Sequence, residues 1–532
     1  MVAKGAAMTP LNIQALTRAL DLLAQTYRGP GGVAGVVKDG QIIARRVWGH
    51  ADMADRLPMT AATRLPICSV SKQFTCALLL DQIADPASLN PFVADYLPGF
   101  TQPLPSVQNL ADNQSGLRDY WALTVLHGAF PEQQFRRSDA LPLLARMKTG
   151  HFPPGTSYSY CNNNFRILGE LIERASGRGL ADLLHDRIFA PAGMTTAALL
   201  PDSRHNADGV VGYEGHDAMG FLPAQNGIWW AGDAGVSASL DDMLAWEQHI
   251  DATRDDPAGL YNRLSRPPTF ADGSPAAYGN GLSHAEVAGR ATTGHGGALR
   301  GFRTHRRHVG SERLSVVVMF NHEADAQAAA LGLIEAALGE ATPETPQSPE
   351  GWTKVWNGLW QDDTDGLVLR TVVEGQGLRL DYATTPASLV VGADDVARGK
   401  GISLERQGTT LIMRRDDENR AITAQPLVPL DHADIRPLVG LYWSDELQAS
   451  MQIGGSDGAA HAGFEGMLGR GPVERMYPVA TDIWIITTRR SMDASPPGDW
   501  TLQVHRDGDK VTGLTLGCWL ARGIHYQRVQ AG

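Results

Sequence analysis

The sequence predicts an α+β domain, in which an antiparallel sheet lies beside a helical cluster, followed by two small antiparallel β-barrels. Three observations support this fold class. Strand patterns occur early and late in the first 338 residues, with helical patterns between them. A proline-rich polar stretch follows at 339–350, and beyond it short alternating strands replace helical periodicity. With 532 residues the chain also exceeds the ~250–300 residues at which single cores stop growing.

The first domain is expected to span residues 1–338. Apolar periodicity predicts strands and helices towards both of its ends. The strands are expected at 33–38, 41–47 and 314–320, and the helices at 11–27 and 324–338. Asp39-Gly40 stands between the first two strands, and Asp-Gly between apolar runs is a hairpin-turn signal. The early and late strands would therefore share one antiparallel sheet.

The second part of the chain is predicted to be all β. Residues 339–350 have the composition of a linker, and the barrel domains are expected at 351–427 and 428–532. Alternating strand patterns occur at 367–373, 378–382, 402–407 and 410–414. Their short, regular spacing is typical of small antiparallel barrels.

A weak internal repeat supports two barrels of related fold. The segment Trp356-Asn357-Gly358-Leu359-Trp360 is matched by Leu438-Val439-Gly440-Leu441-Tyr442, each just upstream of an acidic turn. Two unrelated aromatic-glycine turns would give the same match.

Composition narrows the class of protein. The net charge of −12 argues against a nucleic-acid partner and is compatible with a cationic or zwitterionic substrate. No stretch approaches the ~18 apolar residues of a membrane span, and residues 1–8 do not lead into the apolar core of a secretory signal. There are only four cysteines, at positions 68, 76, 161 and 518. We therefore expect a reduced, cytoplasmic protein that does not associate with membranes.

A serine and a lysine lie one helical turn apart in Ser69-Val70-Ser71-Lys72, at the start of an apolar helical pattern. Positions i and i+3 of a helix bring two side chains within reach of each other. A serine hydroxyl becomes nucleophilic when a neighbouring base takes its proton, and burial would lower the pKa of Lys72 towards that role. An N-cap serine followed by a solvated lysine is the alternative for an isolated motif.

Two further motifs follow in the chain. Tyr160-Cys161-Asn162 precedes a helical pattern, so that a phenol and an amide would project from one turn into a cleft. Later, His295-Gly296-Gly297 offers a turn at which backbone could approach a ligand closely. Ser-x-x-Lys, Tyr-x-Asn and a basic residue followed by x-Gly, in this order, resemble the three motifs of the penicillin-recognising serine hydrolases.

The catalytic region resembles the class C β-lactamase and DD-peptidase branch of that superfamily. His295 stands where most penicillin-binding enzymes have the lysine of Lys-Thr-Gly, which points towards the esterase and aminopeptidase members. Three segments resemble the D-stereospecific aminopeptidases, namely residues 66–76, 113–121 and 295–301. The similarity extends over the whole chain. The resemblance implies a β-lactamase/DD-peptidase-like domain with Ser69 between its sheet and its helices.

These motifs predict acyl transfer through a covalent serine ester. Lys72 would take the proton of Ser69, whose amide, with one just after Gly297, would hold the oxyanion. Tyr160 would protonate the leaving amine, and Asn162 would orient Lys72 or the acyl amide. His295 is expected to orient the phenol or to polarise the leaving group.

A loop of the last domain supplies a candidate substrate-binding carboxylate. Residues 489–499, between strand patterns at 483–486 and 500–504, are longer than a hairpin needs and contain two adjacent prolines. An aminopeptidase must bind a free α-ammonium, and the motifs above contain no carboxylate. We expect Asp493 to bind it, and the resemblance implies that such a loop enters the cleft. A solvated turn aspartate is the alternative.

The sequence thus predicts a D-aminopeptidase that acts on small peptides, amides and esters with a free N-terminal D-residue. The D-preference comes only from the resemblance, which also implies a homodimer and inhibition by β-lactams. The alternatives are a broad class C-like esterase or β-lactamase and a non-catalytic peptide binder. No cofactor or metal is expected, because His305-Arg306-Arg307-His308 lacks a carboxylate or cysteine at ligand spacing and is interpreted as a surface cluster.

Overall fold

The structure of the protein is a computed structural model. It describes residues 11–339, 352–382, 385–456, 459–488, 491–493 and 498–529. Apart from Gly339, the predicted linker therefore lies outside the described residues, and so do parts of the loop predicted at 489–499.

The first domain is built on one eight-stranded antiparallel sheet. From edge to edge the strands are Leu57–Pro58, Gln41–Asp52, Gly31–Lys38, Leu314–Phe320, Phe302–Val309, Arg290–Leu299, Leu282–Val287 and Tyr278–Gly279. Asp39 and Gly40 form the predicted hairpin turn, with φ of 51° and 73°. The early and late strands pair directly, since Val33 lies opposite Met319, which confirms that they share one sheet.

Helices cover both faces of this sheet. The α-helices are Ile13–Thr26, Ser71–Gln82, Val107–Ala111, Tyr120–Leu126, Arg137–Leu144, Asn162–Ser176, Leu180–Leu184, Leu240–Ala252, Leu260–Leu264 and Ala326–Leu338. Shorter helical turns are Cys68–Val70, Pro86–Tyr96, His185–Phe189, Ala207–Gly209 and Gly310–Glu312. The first and last α-helices pack together on one face, where Leu16, Leu333 and Val316 share a buried cluster. The helix that follows Ser69 belongs to the core on the opposite face.

Two minor sheets complete the first domain. Their strands are Leu65–Pro66, Val236–Ala238 and Ala198–Leu199 in one sheet, and Tyr213–His216 and Gly220–Pro223 in the other. The first of these sheets holds the segment that leads into Ser69, because Leu65 lies opposite Ala238.

Two closed eight-stranded barrels follow, as the sequence predicts. After the short helix Thr353–Trp356, the first contains Gly358–Asp362, Val368–Glu374, Gly377–Asp381, Ala387–Val391, Val396–Gly399, Ile402–Gln407, Thr410–Arg415 and Arg420–Pro426. The second contains Gly440–Ser444, Ala449–Ser456, Ala459–Gly466, Gly469–Ala480, Ile483–Ile486, Trp500–Asp507, Lys510–Cys518 and Ala521–Arg528. Each barrel closes by pairing its first strand with its last, and the two copies of the sequence repeat lead into those first strands at Gly358 and Gly440.

The second barrel packs directly against the helical part of the first domain. The buried guanidinium of Arg118 donates hydrogen bonds to Glu446 Oε1 at 2.7 Å and to the Arg522 carbonyl at 2.8 Å. The backbone N–H of Asp119 donates to the carbonyl of Leu520 at 3.0 Å. Among the described residues, no helix is both long and apolar enough to cross a membrane.

The interpretation of His305-Arg306-Arg307-His308 as a surface cluster is wrong. These residues lie in the internal strand Phe302–Val309, and Arg306 is fully buried. Both faces of the strand are covered, and Glu247 supplies Arg306 with a buried counter-charge at 2.6 Å. A buried ion pair of this kind allows a charged residue where sequence patterning predicts exposure.

Candidate active site

Ser69 lies in the single helical turn Cys68–Val70, immediately before the helix Ser71–Gln82. Backbone and side-chain hydrogen bonds fix this segment to strand Val236–Ala238: the Ile67 N–H donates to the Val236 carbonyl, and the Val236 N–H to Ser71 Oγ, both at 3.0 Å. Because the turn leads directly into the helix, Lys72 lies about one helical turn after Ser69 and its side chain reaches the serine. Lys72 Nζ lies 3.0 Å from Ser69 Oγ.

The surroundings of Lys72 fix the direction of its lone pair. Besides Ser69 Oγ, Nζ contacts Asn162 Oδ1 at 2.8 Å and the Asp233 carbonyl at 2.7 Å. An amide oxygen and a backbone carbonyl can only accept hydrogen bonds. A neutral lysine has two N–H groups, which these two acceptors occupy. The remaining lone pair then points at the hydroxyl of Ser69, the arrangement that a general base requires.

Asn162 is itself held in one orientation by Asp119. The Asn162 side-chain Nδ2 donates to Asp119 Oδ2 at 2.9 Å, and its backbone N–H donates to the same oxygen at 2.6 Å. Because a carboxylate accepts and does not donate, these bonds assign Oδ1 to Lys72. Asp119 also caps the helix Tyr120–Leu126 through Oδ1. It is fully buried, and burial raises its pKa to about 7.

Lys72 has the electrostatics of a base near neutral pH. Burial of its ammonium lowers the pKa from 10.5 to about 8, and this effect exceeds the opposing attraction of the Asp233, Asp119 and Asp493 carboxylates. The side chain is fully buried. A substantial fraction of Lys72 is therefore neutral at mildly alkaline pH, whereas a solvated lysine would be almost wholly protonated.

Tyr160 is the second group that faces Ser69. Burial raises the pKa of its phenol, and the interaction with the Ser69 hydroxyl opposes that rise. Lys72 Nζ lies 5.0 Å from the centroid of the Tyr160 ring. Because the phenol stays protonated at neutral pH, Tyr160 is placed to donate a proton beside the nucleophile.

His295 contacts a tyrosine that the sequence analysis did not select. Its Nδ1 is hydrogen-bonded to the carbonyl of Gly296, which can only accept, so Nδ1 bears the proton. Its Nε2 lies 2.9 Å from Tyr278 Oη and therefore accepts a hydrogen bond from it. Burial lowers the pKa of His295 to about 3. The imidazole is neutral, and its ring centroid lies 6.2 Å from that of Tyr160.

Gly297 brings strand Arg290–Leu299 against the nucleophile segment. A Cβ at this position would lie 2.2 Å from the carbonyl oxygen of Ile67 and 3.1 Å from Cys68 Cβ. The neighbouring strand Leu282–Val287 pairs only with residues 290–294, so the edge of residues 295–299 faces the cleft. Ala298 lies on this edge and lines the cleft with Ser69, where backbone N–H groups can meet an oxyanion.

Cys68, next to the nucleophile, is a packing residue with a special backbone conformation. It has a φ of 52°, in the left-handed region that residues other than glycine rarely adopt. Its thiol is fully buried, donates to the Pro66 carbonyl at 3.4 Å, and has its pKa raised to about 12 by burial. Such a thiol stays protonated, which leaves the Ser69 hydroxyl as the candidate nucleophile at this turn.

The cleft around Ser69 has a volume of about 620 Å³ and receives residues from the second barrel. Asp493 lines it together with Trp519 and Leu520. The Arg300 N–H donates to the carbonyl of Asp493 at 3.0 Å, and Ser491 Oγ donates to its Oδ1 at 2.6 Å. The loop that contains Asp493 is thus attached to the turn after the strand that bears Ala298.

No cluster of three or more metal-ligating side chains suited to hold an ion occurs in the part of the chain that the structure describes. The groups that meet at Ser69 are a lysine, two tyrosines, an amide and carboxylates. This set is suited to proton transfer and to attracting a cationic group.

Three contributors were missed by sequence reasoning: Asp119, Tyr278 and Asp233, whose carbonyl accepts from Lys72. Asp119 precedes a helical pattern, so an N-cap signal was available, but the pattern does not indicate contact with Asn162 across 43 residues. Tyr278 lies on the edge strand Tyr278–Gly279 and belongs to no motif. Its contact with His295 depends on the order of the strands, in which Leu282–Val287 lies between the strand of Tyr278 and the strand of His295.

Comparisons with known proteins show the family of the chain. The β-lactamase family model matches residues 16–341, and the model described as D-aminopeptidase, domain B, matches residues 351–527. A D-aminopeptidase of Cereibacter sphaeroides is 60% identical over 519 residues, which covers 98% of this chain and 100% of that protein. A D-aminopeptidase of Brucella anthropi is 49% identical over 525 residues, with the same coverage.

The fold is also found in a solved structure of low sequence identity. The octameric penicillin-binding protein homologue from Pyrococcus abyssi superimposes with a TM-score of 0.54 and 18% identity, and the match covers 78% of this chain and 100% of that one. With the two family models and the full-length relatives, this result identifies the chain. It belongs to the D-aminopeptidase family of serine hydrolases, whose catalytic domain has the β-lactamase fold.

Proposed function

We propose that the protein is a D-aminopeptidase, a serine hydrolase that releases N-terminal D-amino acids from peptides, amides and esters through an acyl-enzyme. The observation that carries the proposal is the hydrogen bonding of Lys72, whose two obligate acceptors leave its lone pair for Ser69 Oγ. The relatives that match the full chain are named D-aminopeptidases, and the D-preference rests on that similarity.

Acylation would begin when Lys72 takes the proton of Ser69. Ser69 Oγ then attacks the carbonyl of the N-terminal residue, and negative charge develops on the carbonyl oxygen. The backbone N–H groups of Ser69 and Ala298 would stabilise this charge. Asn162 orients Lys72 for the step, because Asp119 fixes its amide.

Collapse of the intermediate would need a proton on the leaving amine. Tyr160 would supply it, and the proton held on Lys72 would return to the phenol, so that no net charge builds up. The raised pKa of Tyr160 favours this role because the phenol is protonated when the step begins. His295 would act through Tyr278, whose hydroxyl it holds at the cleft wall. Water would then cleave the ester, with the same groups transferring protons in reverse.

Asp493 would bind the free α-ammonium of the substrate. Its carboxylate lines the cleft of Ser69 and interacts electrostatically with Lys72 and Tyr160. A carboxylate at this place attracts a cation and lies on the side of the cleft formed by the second barrel. The ammonium, the scissile carbonyl and the side chain would then make three contacts, the minimum for distinguishing enantiomers.

The function is tested with three p-nitroanilides: that of D-alanine, that of L-alanine and that of N-acetyl-D-alanine. The Ser69→Ala variant is the blank, since it lacks the nucleophile. We expect selective turnover of the D-alanine compound with a free amine. Similar rates on the acetylated or L-compounds would instead show a broad acyl hydrolase, and the D-aminopeptidase assignment would fall.

Replacing Asp493 with asparagine should weaken use of free-amine substrates selectively. We expect kcat/KM for D-alanine p-nitroanilide to fall by about ten-fold or more, with a smaller change for esters of N-acetyl-D-alanine, because only the former has an ammonium. The Asp493 carboxylate also raises the pKa of Lys72, so its loss should shift the rising limb of the pH–rate profile to lower pH. Equal losses on both substrates would remove Asp493 from this role.

We further propose a homodimer formed through the second barrel. Of the large apolar side chains exposed on its surface, four lie at or beside its first strand, namely Val439, Leu441, Trp443 and Val529, each 37–44% exposed. They are contiguous, since the Val529 N–H donates to the carbonyl of Leu441. Analytical ultracentrifugation should find a dimer that Trp443→Glu dissociates. A wild-type monomer at micromolar concentration would contradict the proposal.

Two remaining properties are proposed on chemical grounds. The four cysteines are unpaired and buried, which favours a reducing compartment such as the cytoplasm. A serine nucleophile with a neutral lysine base would also be acylated by β-lactams. Mass spectrometry of the protein after incubation with penicillin would show the adduct on Ser69.

A further inference from the structure

One buried arginine of the protein lacks the counter-charge that the others have. Six arginine side chains are buried among the described residues: Arg118, Arg166, Arg300, Arg306, Arg307 and Arg522. Five of them pair with a carboxylate; the pairs are Arg118–Glu446, Arg166–Glu170, Arg300–Glu132, Arg306–Glu247 and Arg522–Asp365. Arg307, which is 4% exposed, forms no ion pair with any residue that the structure describes.

The hydrogen-bond partners of Arg307 are neutral. Its Nη1 donates to Ser283 Oγ at 3.0 Å and to the Ser283 carbonyl at 3.3 Å, while Nη2 lies 3.3 Å from His305 Nε2. Burial lowers the pKa of His305 far below neutrality, so that ring carries no charge. Within the described part of the chain, the buried Nε of Arg307 has no hydrogen-bond partner.

An uncompensated buried cation is costly, and this one lines the cleft of Ser69. Burial and the nearby Arg306 lower the pKa of Arg307 to about 10, so the guanidinium remains charged at neutral pH. It also lies close enough to His295 to lower the pKa of that residue. A substrate that carries an anion would neutralise this charge. Binding such a substrate explains why a charged group is kept in the cleft despite its cost.

The cleft is lined from both faces of the sheet, and Arg307, which lies opposite Val316 on strand Leu314–Phe320, belongs to the face of the helices Ile13–Thr26 and Ala326–Leu338. Arg307 lies opposite Gly294 and His305 lies opposite Gly296 on the neighbouring strand. A Cβ at Gly294 would come within 3.1 Å of Arg307 Nε, and one at Gly296 within 3.1 Å of His305 Nδ1. Both positions are closely packed, since a Cβ at Gly294 would also lie 2.2 Å from the Arg306 carbonyl oxygen, and a larger residue there would crowd the guanidinium.

The other charged side chains at this end of the cleft are already engaged. Arg303 Nη2 pairs with Glu323 at 3.3 Å. Asp325 accepts a hydrogen bond from the Ala328 N–H at 2.9 Å and so caps the helix Ala326–Leu338. Neither residue neutralises Arg307, whose pKa shows no contribution from a carboxylate.

We propose that Arg307 binds the α-carboxylate of the amino acid that leaves, and that the enzyme therefore prefers dipeptides with a free C-terminus. This inference rests on the proposed function. The acyl part of a D-alanyl substrate bears only its ammonium, so the anion must belong to the leaving group. Asp493 and Arg307 would then hold the two charged ends of a zwitterionic dipeptide across the carbonyl that Ser69 attacks.

The test compares D-alanylglycine with D-alanylglycine amide, which differ only in the terminal carboxylate. We expect the wild-type enzyme to favour the acid in kcat/KM, and Arg307→Gln to lower the acid-to-amide ratio by about ten-fold or more. Arg303→Gln is the matched control, because its guanidinium is paired with Glu323 and should not set the ratio. A wild-type ratio near one, or an unchanged ratio in Arg307→Gln, would overturn the proposal.

A substrate can also present a carboxylate on its N-terminal side chain. The D-glutamate and D-glutamine p-nitroanilides test that source. If Arg307→Gln alters the ratio of their kcat/KM values instead, Arg307 binds the side chain of the acyl residue and the proposal is wrong. Calorimetry of D-alanylglycine and its amide with the Ser69→Ala variant measures binding without turnover. The result does not depend on whether the Arg307 variant folds. Tighter binding of the acid than of the amide supports the subsite. It would do so even if the wild-type enzyme turned over no D-substrate, since lack of turnover would refute only the proposed function. Equal binding of acid and amide overturns the subsite.

Discussion

Replacing Lys72 with methionine is expected to lower kcat by about 10²–10⁴-fold, the contribution typical of a positioned general base. Methionine fills the same buried space, but its thioether sulfur is far too weak a base to take the Ser69 proton. Lys72→Arg is the second half of the test, because arginine keeps the charge and the donors but does not deprotonate. If Lys72 served only to supply positive charge, Lys72→Arg would retain most of the activity, and the role of base would be excluded.

Folding of these variants needs its own measurement. Methionine leaves Asn162 Oδ1 and the Asp233 carbonyl without their donor, and an unsatisfied buried acceptor costs about 1–3 kcal/mol. Thermal unfolding followed by circular dichroism should therefore show a lower Tm for Lys72→Met than for the wild type. Rates are to be compared below both transitions, by stopped-flow release of p-nitroaniline from D-alanine p-nitroanilide.

The same residue predicts the pH dependence. Burial lowers the pKa of Lys72 to about 8, and the base acts in its neutral form, so kcat/KM should rise with pH as Lys72 loses its proton. At higher pH kcat/KM should fall again, because the substrate loses the α-ammonium that Asp493 would bind, a group with an ordinary pKa of about 7.7–8.0. Ionisation of Asp119, whose pKa burial raises to about 7, should steepen the lower part of the limb. His295→Gln provides the control: His295 is already neutral above about pH 3, so the midpoint should not move with its loss. A midpoint that disappears in His295→Gln would assign the base to the histidine.

Local sequence signals predicted the parts of the site that depend on helix and strand geometry. Ser69 and Lys72 meet because they are one helical turn apart, and residue spacing alone determines that. The barrels were predictable because each starts with the same aromatic-glycine pattern, at Gly358 and Gly440. The hairpin at Asp39-Gly40 followed from turn chemistry in the same way.

The remaining features depend on contacts between distant segments. The partner of Asn162 is Asp119, and that of His295 is Tyr278, each brought in by packing rather than by a motif. Arg307 was misread because a run of four polar residues without metal ligands at suitable spacing was interpreted as exposed, whereas both faces of its strand are covered. Sequence spacing does not reveal whether a buried charge has a partner, and it is that pairing which distinguishes Arg306 from Arg307.

Replacing Gly297 with alanine is expected to reduce kcat/KM by about 100-fold, although it adds only one methyl group. The new Cβ would lie 2.2 Å from the carbonyl oxygen of Ile67, a backbone atom that cannot rotate away. The strand that bears Ala298 must then move away from Ser69. A displacement of about 1 Å between the oxyanion donors and the nucleophile is enough for a loss of that size.

Gly296→Ala is the matched control for this prediction. It makes the same chemical change one residue earlier, where the nearest atom to the new Cβ is a side-chain atom, His305 Nδ1, at 3.1 Å. Both variants should lose some stability, since added volume in a packed interior typically costs about 1–3 kcal/mol. Only Gly297→Ala should also slow acylation strongly, because its clash lies between the strand and the segment of Ser69. If the two variants lost activity in proportion to their loss in Tm, the effect would be general destabilisation. A large loss of rate in Gly297→Ala at similar Tm would place the close approach of this strand to Ile67 among the requirements of the reaction.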